Sequence, residues 1–394
     1  MSSSSVHFLF DIQKIPEHPN SFYQQVIQKT PNYAIGDLFE YNSEVPSLFV
    51  IEFLWADVET IFENLDQNVL QFIVKRRIPI LFYFPTEGFC INETGWTDNL
   101  KKQFKKHNLQ KNLKYFVTGN LLNNTIEIFD KTFSLNCFER VLETALYNNQ
   151  LRKFKKIKIN KKYDFLSYNA NPRPGRNALA SELIRHDLNK NALFSWIGNP
   201  NWKFDKSNQD LSLQFLTAPG QKHYTRIFKK GFTPYKLDVD GKTKDGVINS
   251  INDDHYSNSY FSLISETETS DQCIFITEKT YKAIYAGHPF IIWGNPGTLT
   301  YLRSIGYKTF PTLFDESYDN ELDPVKRLEM IILQVKKFKN LNNNIKNILI
   351  NAQHDTLRHN YNNFLKRWKL SFDIDIQYII MDIKNDIKKN KHRL

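Results

Sequence analysis

The stretch YFSLISETETSDQCIFITEKTYKAIYAGHPFIIWG, residues 260–294, decides the fold class. Its first six residues, 260–265, form a run of β-compatible residues of strand length. A polar loop follows. Thr277 then stands where an N-cap belongs, ahead of a segment over 277–286 that reads as a helix, and Gly287 suits the C-terminal end of that helix. A second apolar run of strand length covers 289–294, and 298–304 reads as another helix. Strand, helix, strand and helix at this spacing imply parallel strands joined by crossovers.

The same grammar extends in both directions. Upstream, 163–168 reads as a strand, 169–176 as a proline-containing loop and 177–186 as a helix. Downstream, Leu328, Ile331, Ile332, Val335, Phe338, Leu341 and Ile345 recur at the helical period, which predicts a helix over 324–350 with one buried stripe. That stripe is core, not a cofactor box. From Leu357 the chain is amphipathic and then basic, with Lys384, Lys388, Lys389, Lys391 and Arg393. Towards the N-terminus, strands are expected at 7–10, 48–53, 80–84, 115–117 and 125–129. Helices are expected at 20–29, 57–72 and 134–146, the last with Ser134 as N-cap.

Arg152, Lys153, Lys155, Lys156, Lys158, Lys161 and Lys162 have no acidic residue among them. This basic segment reads as the boundary between two halves, either a solvated linker or a nucleic-acid patch. The expected organisation is an N-terminal α/β domain over 1–157, a C-terminal α/β domain over 158–350, and helices with a basic tail over 351–394. No internal repeat is present.

Composition narrows the class. A chain of 394 residues, 41% of them hydrophobic, can bury a large core and divide into two domains. Lys and Arg number 52 against 42 Asp and Glu, for a net charge of +10. That surplus favours an anionic partner, whether nucleic acid, an acidic surface or a nucleotide-linked substrate. About 40 Asn beside many Lys and Ile also fit a simple coding bias. Cys90, Cys137 and Cys273 are far apart and show no metal spacing, so a reducing compartment without structural zinc is expected. No run approaches the ~18 apolar residues of a membrane span, and Met1 to Val6 lacks the features of a signal peptide. These readings together point to a cytoplasmic protein.

Open α/β sheets bind ligands at the carboxyl ends of their strands. Two segments place polar groups there. Asn169-Ala170-Asn171-Pro172-Arg173-Pro174-Gly175-Arg176 carries two arginines three apart, a candidate fork for phosphate next to a helix N-terminus. Its other reading is a surface loop whose arginines pair with carboxylates. Thr277-Glu278-Lys279 opens the second helix. Glu278 complements the macrodipole and Lys279 opposes it, a mismatch that an anion held by Lys279 would offset. Glu278 would then suit a hydroxyl pair of a sugar or ribose, although a surface pair with Lys282 is the simpler alternative. Glycine-rich phosphate loops, a nucleophile elbow and the zinc-helix motif are all missing. Asp238-Val239-Asp240 reads as a turn, with a metal site the minority reading.

Residues 276–284 together with 286–294 resemble the donor-binding segment of glycosyltransferase family 10, which contains the α-1,3-fucosyltransferases. The sequence is also similar to glycosyltransferase-like proteins of bacteria and large viruses through Gly297, Leu302, Arg303, Gly306, Tyr307 and Phe310, and through Asn169, Pro172, Arg173 and Arg176 upstream. The resemblance covers about half the chain, mainly 160–320. It implies a GT-B architecture, with two Rossmann-like α/β domains facing a cleft, a nucleoside-diphosphate sugar as co-substrate, and neither a cofactor nor a metal on the diphosphate. Carried over to matching positions, Arg173, Arg176 and Lys279 bind the diphosphate and Glu278 binds ribose or sugar, with Asn169 and Thr277 in the same motifs on the donor side; Glu266, from its place just after the 260–265 strand, is a further candidate donor contact. His288-Pro289-Phe290-Ile291 departs from the Val-Pro-Val run of the fucosyltransferases, so the donor need not be GDP-fucose. Glu87, just beyond the 80–84 strand, is the candidate base for a glycan or other hydroxyl acceptor; it also reads as an exposed turn carboxylate. The charge surplus admits peripheral contact with an anionic surface. A nucleic-acid-binding protein, a DNA-modifying glycosyltransferase and a silent sugar-nucleotide binder are the other readings.

Overall fold

The computed structural model describes residues 6–10, 22, 26, 34–42, 44–52, 58–84, 95–119, 121–122, 126–136, 153–155, 157–169, 173–196, 211–229, 233–235, 237, 251–271 and 273–391. The chain divides into two compact units. One comprises Met1–Cys137 and Leu370–Leu394, the other Phe138–Lys369.

The first unit contains β1 (His7–Phe10), β2 (Ala34–Asp37), β3 (Ser47–Glu52), α1 (Val58–Asn64), α2 (Gln67–Arg76), β4 (Ile80–Phe84), α3 (Trp96–Lys106), β5 (Lys114–Thr118), the short β6 (Leu121–Leu122) and β7 (Lys131–Ser134). Its sheet runs β2-β1-β3-β4-β5-β7, and every neighbouring pair is parallel. The central strand β4, Ile-Leu-Phe-Tyr-Phe, is buried along its whole length, as a strand covered on both faces must be. Phenylalanines fill the core, where Phe116 and Phe129 stack with centroids 4.8 Å apart.

The second unit contains β8 (Tyr163–Ser167), α4 (Pro174–Arg185), β9 (Leu193–Phe194), α5 (Ala218–Lys229), α6 (Asp253–Asn258), β10 (Ser259–Ser265), the short β11 (Cys273–Ile274), α7 (Glu278–Tyr285), β12 (Phe290–Trp293), α8 (Thr298–Ser304), α9 (Pro324–Lys339) and α10 (Asn343–Asn351). Its sheet runs β12-β10-β8-β9, again all parallel. The chain steps from β8 out to β9 and then returns past β8 to β10 and β12. The strand order therefore reverses between β8 and β10. Away from the carboxyl ends, a buried Lys346–Asp164 pair at 2.7 Å ties α10 to the start of β8.

Several expectations change in the structure. The helix expected over 57–72 is broken, because Asp66 caps α2 by accepting from the Asn68 N–H at 2.7 Å. The helix expected over 324–350 breaks in the same way, with Asn342 capping α10 through the Ile345 N–H. Short polar side chains compete for backbone groups and so favour such ends. The strand expected over 125–129 is a turn whose Ile126 and Phe129 are buried, and the strand follows at Lys131–Ser134. Ser134 is consequently a strand residue paired with Thr118, not an N-cap. Of the helix expected over 20–29, the described residues are Phe22 and Val26, both buried.

The last helix, α11 (His354–Lys389), supplies residues to both units. In the first unit, Tyr115 donates to Asp386 Oδ2 at 2.9 Å and Lys131 pairs with Asp382 at 2.8 Å. The two compact units divide at 137/138 and 369/370. The basic segment is also tied down. Lys155 pairs with Asp253 at 2.6 Å, Lys158 donates to Asn258 Oδ1 at 2.7 Å, and Lys161 donates to the Ser259 carbonyl at 2.7 Å. Burial, with Lys158 adjacent, lowers the Lys161 ammonium to about 7. Lys155, Lys158 and Lys161 thus strap the segment to α6 and β10, while Lys153, Lys155, Lys158 and Lys162 stay exposed to solvent. Among the described residues no helix is long and apolar enough to cross a membrane.

Candidate functional site

Asn169 follows β8 and Glu266 follows β10, at the two strand ends between which the order reverses. Ligands of open α/β sheets bind at such a switch point. Two helices begin there, α4 after β8 and α7 after β10.

The start of α4 lies three residues earlier than the sequence suggests. Arg173 has extended backbone and is the N-cap, Pro174 is N1, and Arg176 falls in the first turn. Proline belongs at N1 because that position needs no N–H partner and its φ is already helical. The two arginines are thus a cap and a first-turn residue, not two members of one loop. Gly175 makes the approach possible. A Cβ there would lie 2.8 Å from Thr269 Cγ2 and 3.3 Å from Trp293 Nε1, and Trp293 Nε1 donates to the Gly175 carbonyl at 2.7 Å. Arg176 is almost fully buried. Burial and neighbouring Arg173 lower its guanidinium to about 10, while Glu266 and Glu278 act in the opposite sense. It stays charged at neutral pH.

The start of α7 is built around Glu266, whose side chain is fully buried. Oε1 accepts from the Thr277 N–H at 3.2 Å and from Thr280 Oγ1 at 2.7 Å, and Oε2 accepts from Thr277 Oγ1 at 2.5 Å. Thr277 in turn accepts from the Lys279 N–H at 3.4 Å and from Lys279 Nζ at 2.8 Å. Glu266, a candidate donor contact from its place after β10, accepts these three hydrogen bonds from the helix start. It positions Thr277, Thr280 and Lys279. Sequence reading missed Thr280, because a contact spanning fourteen positions leaves no local periodicity.

Lys279 Nζ lies 3.7 Å from Glu266 Oε2 and 3.6 Å from Glu278 Oε1. Carboxylates of the chain itself thus already offset part of its mismatch with the helix dipole. Burial would raise the Glu278 carboxyl, but Lys279, Lys282, its own backbone N–H and Arg176 outweigh that effect and hold it below its ordinary value. Lys282 is buried, so the Glu278–Lys282 interaction is not a surface pair. Arg173, Arg176, Lys279 and Lys282 stand against two carboxylates, and the cluster keeps a positive balance with two helix N-termini directed to it.

Two of the sequence-derived carboxylate and metal candidates, Glu87 and the Asp238-Val239-Asp240 triplet, lie outside the described residues, as do Cys90 and Cys137. β4, which precedes Glu87 in the sequence, ends at Phe84 beside β3 in the first sheet. Glu52 at the end of β3, overlooked in the sequence, accepts from the Phe22 N–H at 2.9 Å. His288, within the resembling stretch, is a core residue. Its Nδ1 faces Ser262 Oγ at 2.7 Å and its Nε2 the Ser259 carbonyl at 2.7 Å, and burial with nearby Lys161 keeps it neutral. No group of three or more His, Cys, Asp or Glu able to hold a metal ion occurs among the described residues.

No protein-family model matches the chain, and no curated protein does. Among solved structures, an α1,3-fucosyltransferase aligns at 13% identity over 89% of this chain and 82% of its own, with a TM-score of 0.32. An α1,3-fucosyltransferase with GDP aligns at 13% identity over 98% and 92%, with a TM-score of 0.34. The UDP-forming α,α-trehalose-phosphate synthase of Burkholderia vietnamiensis aligns at 10% identity over 84% and 67%, with a TM-score of 0.31. Superpositions this loose carry no weight for function, which has to be argued from the residues of the site.

Proposed function

We propose that this chain is a glycosyltransferase of hexosyl or fucosyl type, moving a sugar from a nucleoside-diphosphate sugar to a hydroxyl acceptor, a glycan or another alcohol. The observation that carries the reading is the net-positive cluster of buried Arg176 and Lys282 with partly buried Arg173 and Lys279 at the switch point between β8 and β10, where α4 and α7 begin.

Transfer forms a bond between the acceptor oxygen and the anomeric carbon as the bond to the diphosphate oxygen breaks. The leaving electron pair collects on the diphosphate, and the acceptor proton passes to a base. Charge developing on the diphosphate is stabilised by preorganised cations and helix N-termini, which need no reorganisation when the bond breaks. Arg176 suits this role because its burial fixes it in place and strengthens its field. Lys279, held by Thr277, points a second cation from the start of α7. Glu278, held as a carboxylate, suits the hydroxyl pair of ribose or sugar. Glu87 is proposed as the base, from its position three residues beyond a strand end. In this reading side-chain cations do the work that a metal does in other transferases.

A nucleic-acid-binding role for the basic segment is the alternative reading, and it predicts affinity for nucleic acid that falls steeply with salt. A thermal-shift screen of the full chain against nucleoside diphosphates and nucleotide sugars, with and without EDTA, tests the proposal. Stabilisation by one nucleotide family that persists in EDTA is expected. No response to any of them refutes the donor site, and a response abolished by EDTA and restored by a divalent ion refutes metal independence.

A further inference from the structure

Two buried side-chain oxygens at the switch point are unpaired among the described residues. Asn169 and Ser265 are essentially inaccessible, at 0% and 1% exposure. Among the described residues, neither Asn169 Oδ1 nor Ser265 Oγ has a hydrogen-bond partner. The rest of Asn169 is committed, its N–H donating to Ser195 Oγ at 3.1 Å and its Nδ2 to Ser167 Oγ at 3.0 Å. That arrangement fixes the amide and leaves its carbonyl oxygen as the open acceptor.

The register brings the two together. Leu166 pairs with Ser262, and continuing that register places Asn169 beside Ser265. Ser265 itself pairs with Trp293 on its other side. Cross-strand neighbours in register project to the same face of a sheet. On that face the Trp293 indole holds the start of α4 through the Gly175 carbonyl. Asn169 and Ser265 therefore lie beneath the helix start that carries Arg176, and Glu266 follows Ser265 directly. Buried polar groups are nearly always paired, so two adjacent exceptions in a ligand crevice call for an explanation.

We propose that Asn169 and Ser265 form a pair that reads ligand hydroxyl groups, on either the ribose or the transferred sugar of the donor. The inference rests on the nucleotide-sugar reading above and deepens it. Asn169 Oδ1 can only accept, and a diphosphate at neutral pH has no proton to donate to it. A hydroxyl donates to Asn169 Oδ1, and a neighbouring hydroxyl exchanges a hydrogen bond with Ser265 Oγ. The cations beside the pair take the phosphates.

The test uses Ser265→Ala and Asn169→Ala in the full chain, with titration calorimetry against pyrophosphate, GDP, UDP and the matching nucleotide sugars. Ser265→Ala removes a hydroxyl with no partner in the free protein, so its melting temperature should stay level or rise. Each variant should weaken nucleotide-sugar binding by about tenfold and leave pyrophosphate binding unchanged. Equal weakening towards the free nucleotide assigns the pair to ribose; weakening confined to the nucleotide sugar assigns it to the transferred sugar. Unchanged nucleotide-sugar affinity alongside a lowered melting temperature overturns the proposal, because the pair then serves an interior water. If the parent protein binds none of the probes, the nucleotide-sugar reading fails instead.

Discussion

Glu266→Gln separates a carboxylate that builds the site from one that touches the ligand. The substitution keeps the shape and removes the charge. Glu266 accepts three hydrogen bonds, from the Thr277 N–H, Thr277 Oγ1 and Thr280 Oγ1, with Lys279 Nζ 3.7 Å away. A glutamine retains one acceptor oxygen. If the amide nitrogen replaces Oε2, the Thr277 hydroxyl must turn round to accept, and it already accepts from Lys279. If the amide nitrogen replaces Oε1, it meets the Thr277 N–H donor to donor. Hydrogen bonds to a charged acceptor contribute ~1.5–3 kcal/mol each and neutral ones ~0.5–1.5, so about 1 kcal/mol is lost for each of three bonds. The resulting ~3 kcal/mol agrees with the ~3–5 kcal/mol typical of breaking a buried pair. For a unit the size of Phe138–Lys369 that is a fall in melting temperature of about 6–12 °C. Thermal unfolding of the ligand-free protein by circular dichroism is the assay. A melting temperature within about 1 °C of the parent, combined with lost nucleotide affinity, would refute the reasoning and return Glu266 to direct donor contact.

Lys279→Ala should weaken binding of a nucleoside diphosphate at least tenfold in calorimetry while leaving secondary structure intact, and unaltered affinity removes Lys279 from the diphosphate. Glu87→Gln should abolish transfer yet keep donor binding; full turnover excludes it as the base. Glu278 is held below its ordinary value, so as pH falls the unfolded chain takes up this proton first. Its stabilising contribution is therefore complete above the unfolded carboxyl pKa of about 4.3 and is lost as pH falls from there through the folded value. Glu278→Gln should flatten this acid limb in urea unfolding between pH 6 and 3, and an unchanged limb contradicts the assignment.

How much was readable in advance follows from the range of each interaction. The strand at 80–84, the helix at 298–304, the Thr277 cap and the parallel α/β class all rest on contacts within a few residues or on one buried face, and the structure shows them as read. The helix breaks at Asp66 and Asn342 were written in capping residues that the apolar stripe outweighed. Arg173, Arg176, Glu278 and Lys279 could be singled out because a cation or carboxylate beside a helix start is a local pattern.

The sequence by itself determined that strands and helices alternate, and where the charged groups of the second half lie along the chain. Only the tertiary structure decided what those groups do. Glu266 becomes a helix anchor because folding brings Thr277 and Thr280 to it across eleven and fourteen positions. Asn169 and Ser265 can be related only because β8 and β10 pair in parallel across an interval of nearly a hundred residues, in a register that extends towards both. The basic segment becomes a strap because Asp253, Asn258 and Ser259 meet it from the same distance along the chain. Local propensity is written residue by residue, whereas burial and hydrogen-bond completion are properties of groups that meet only once the sheet has closed over them.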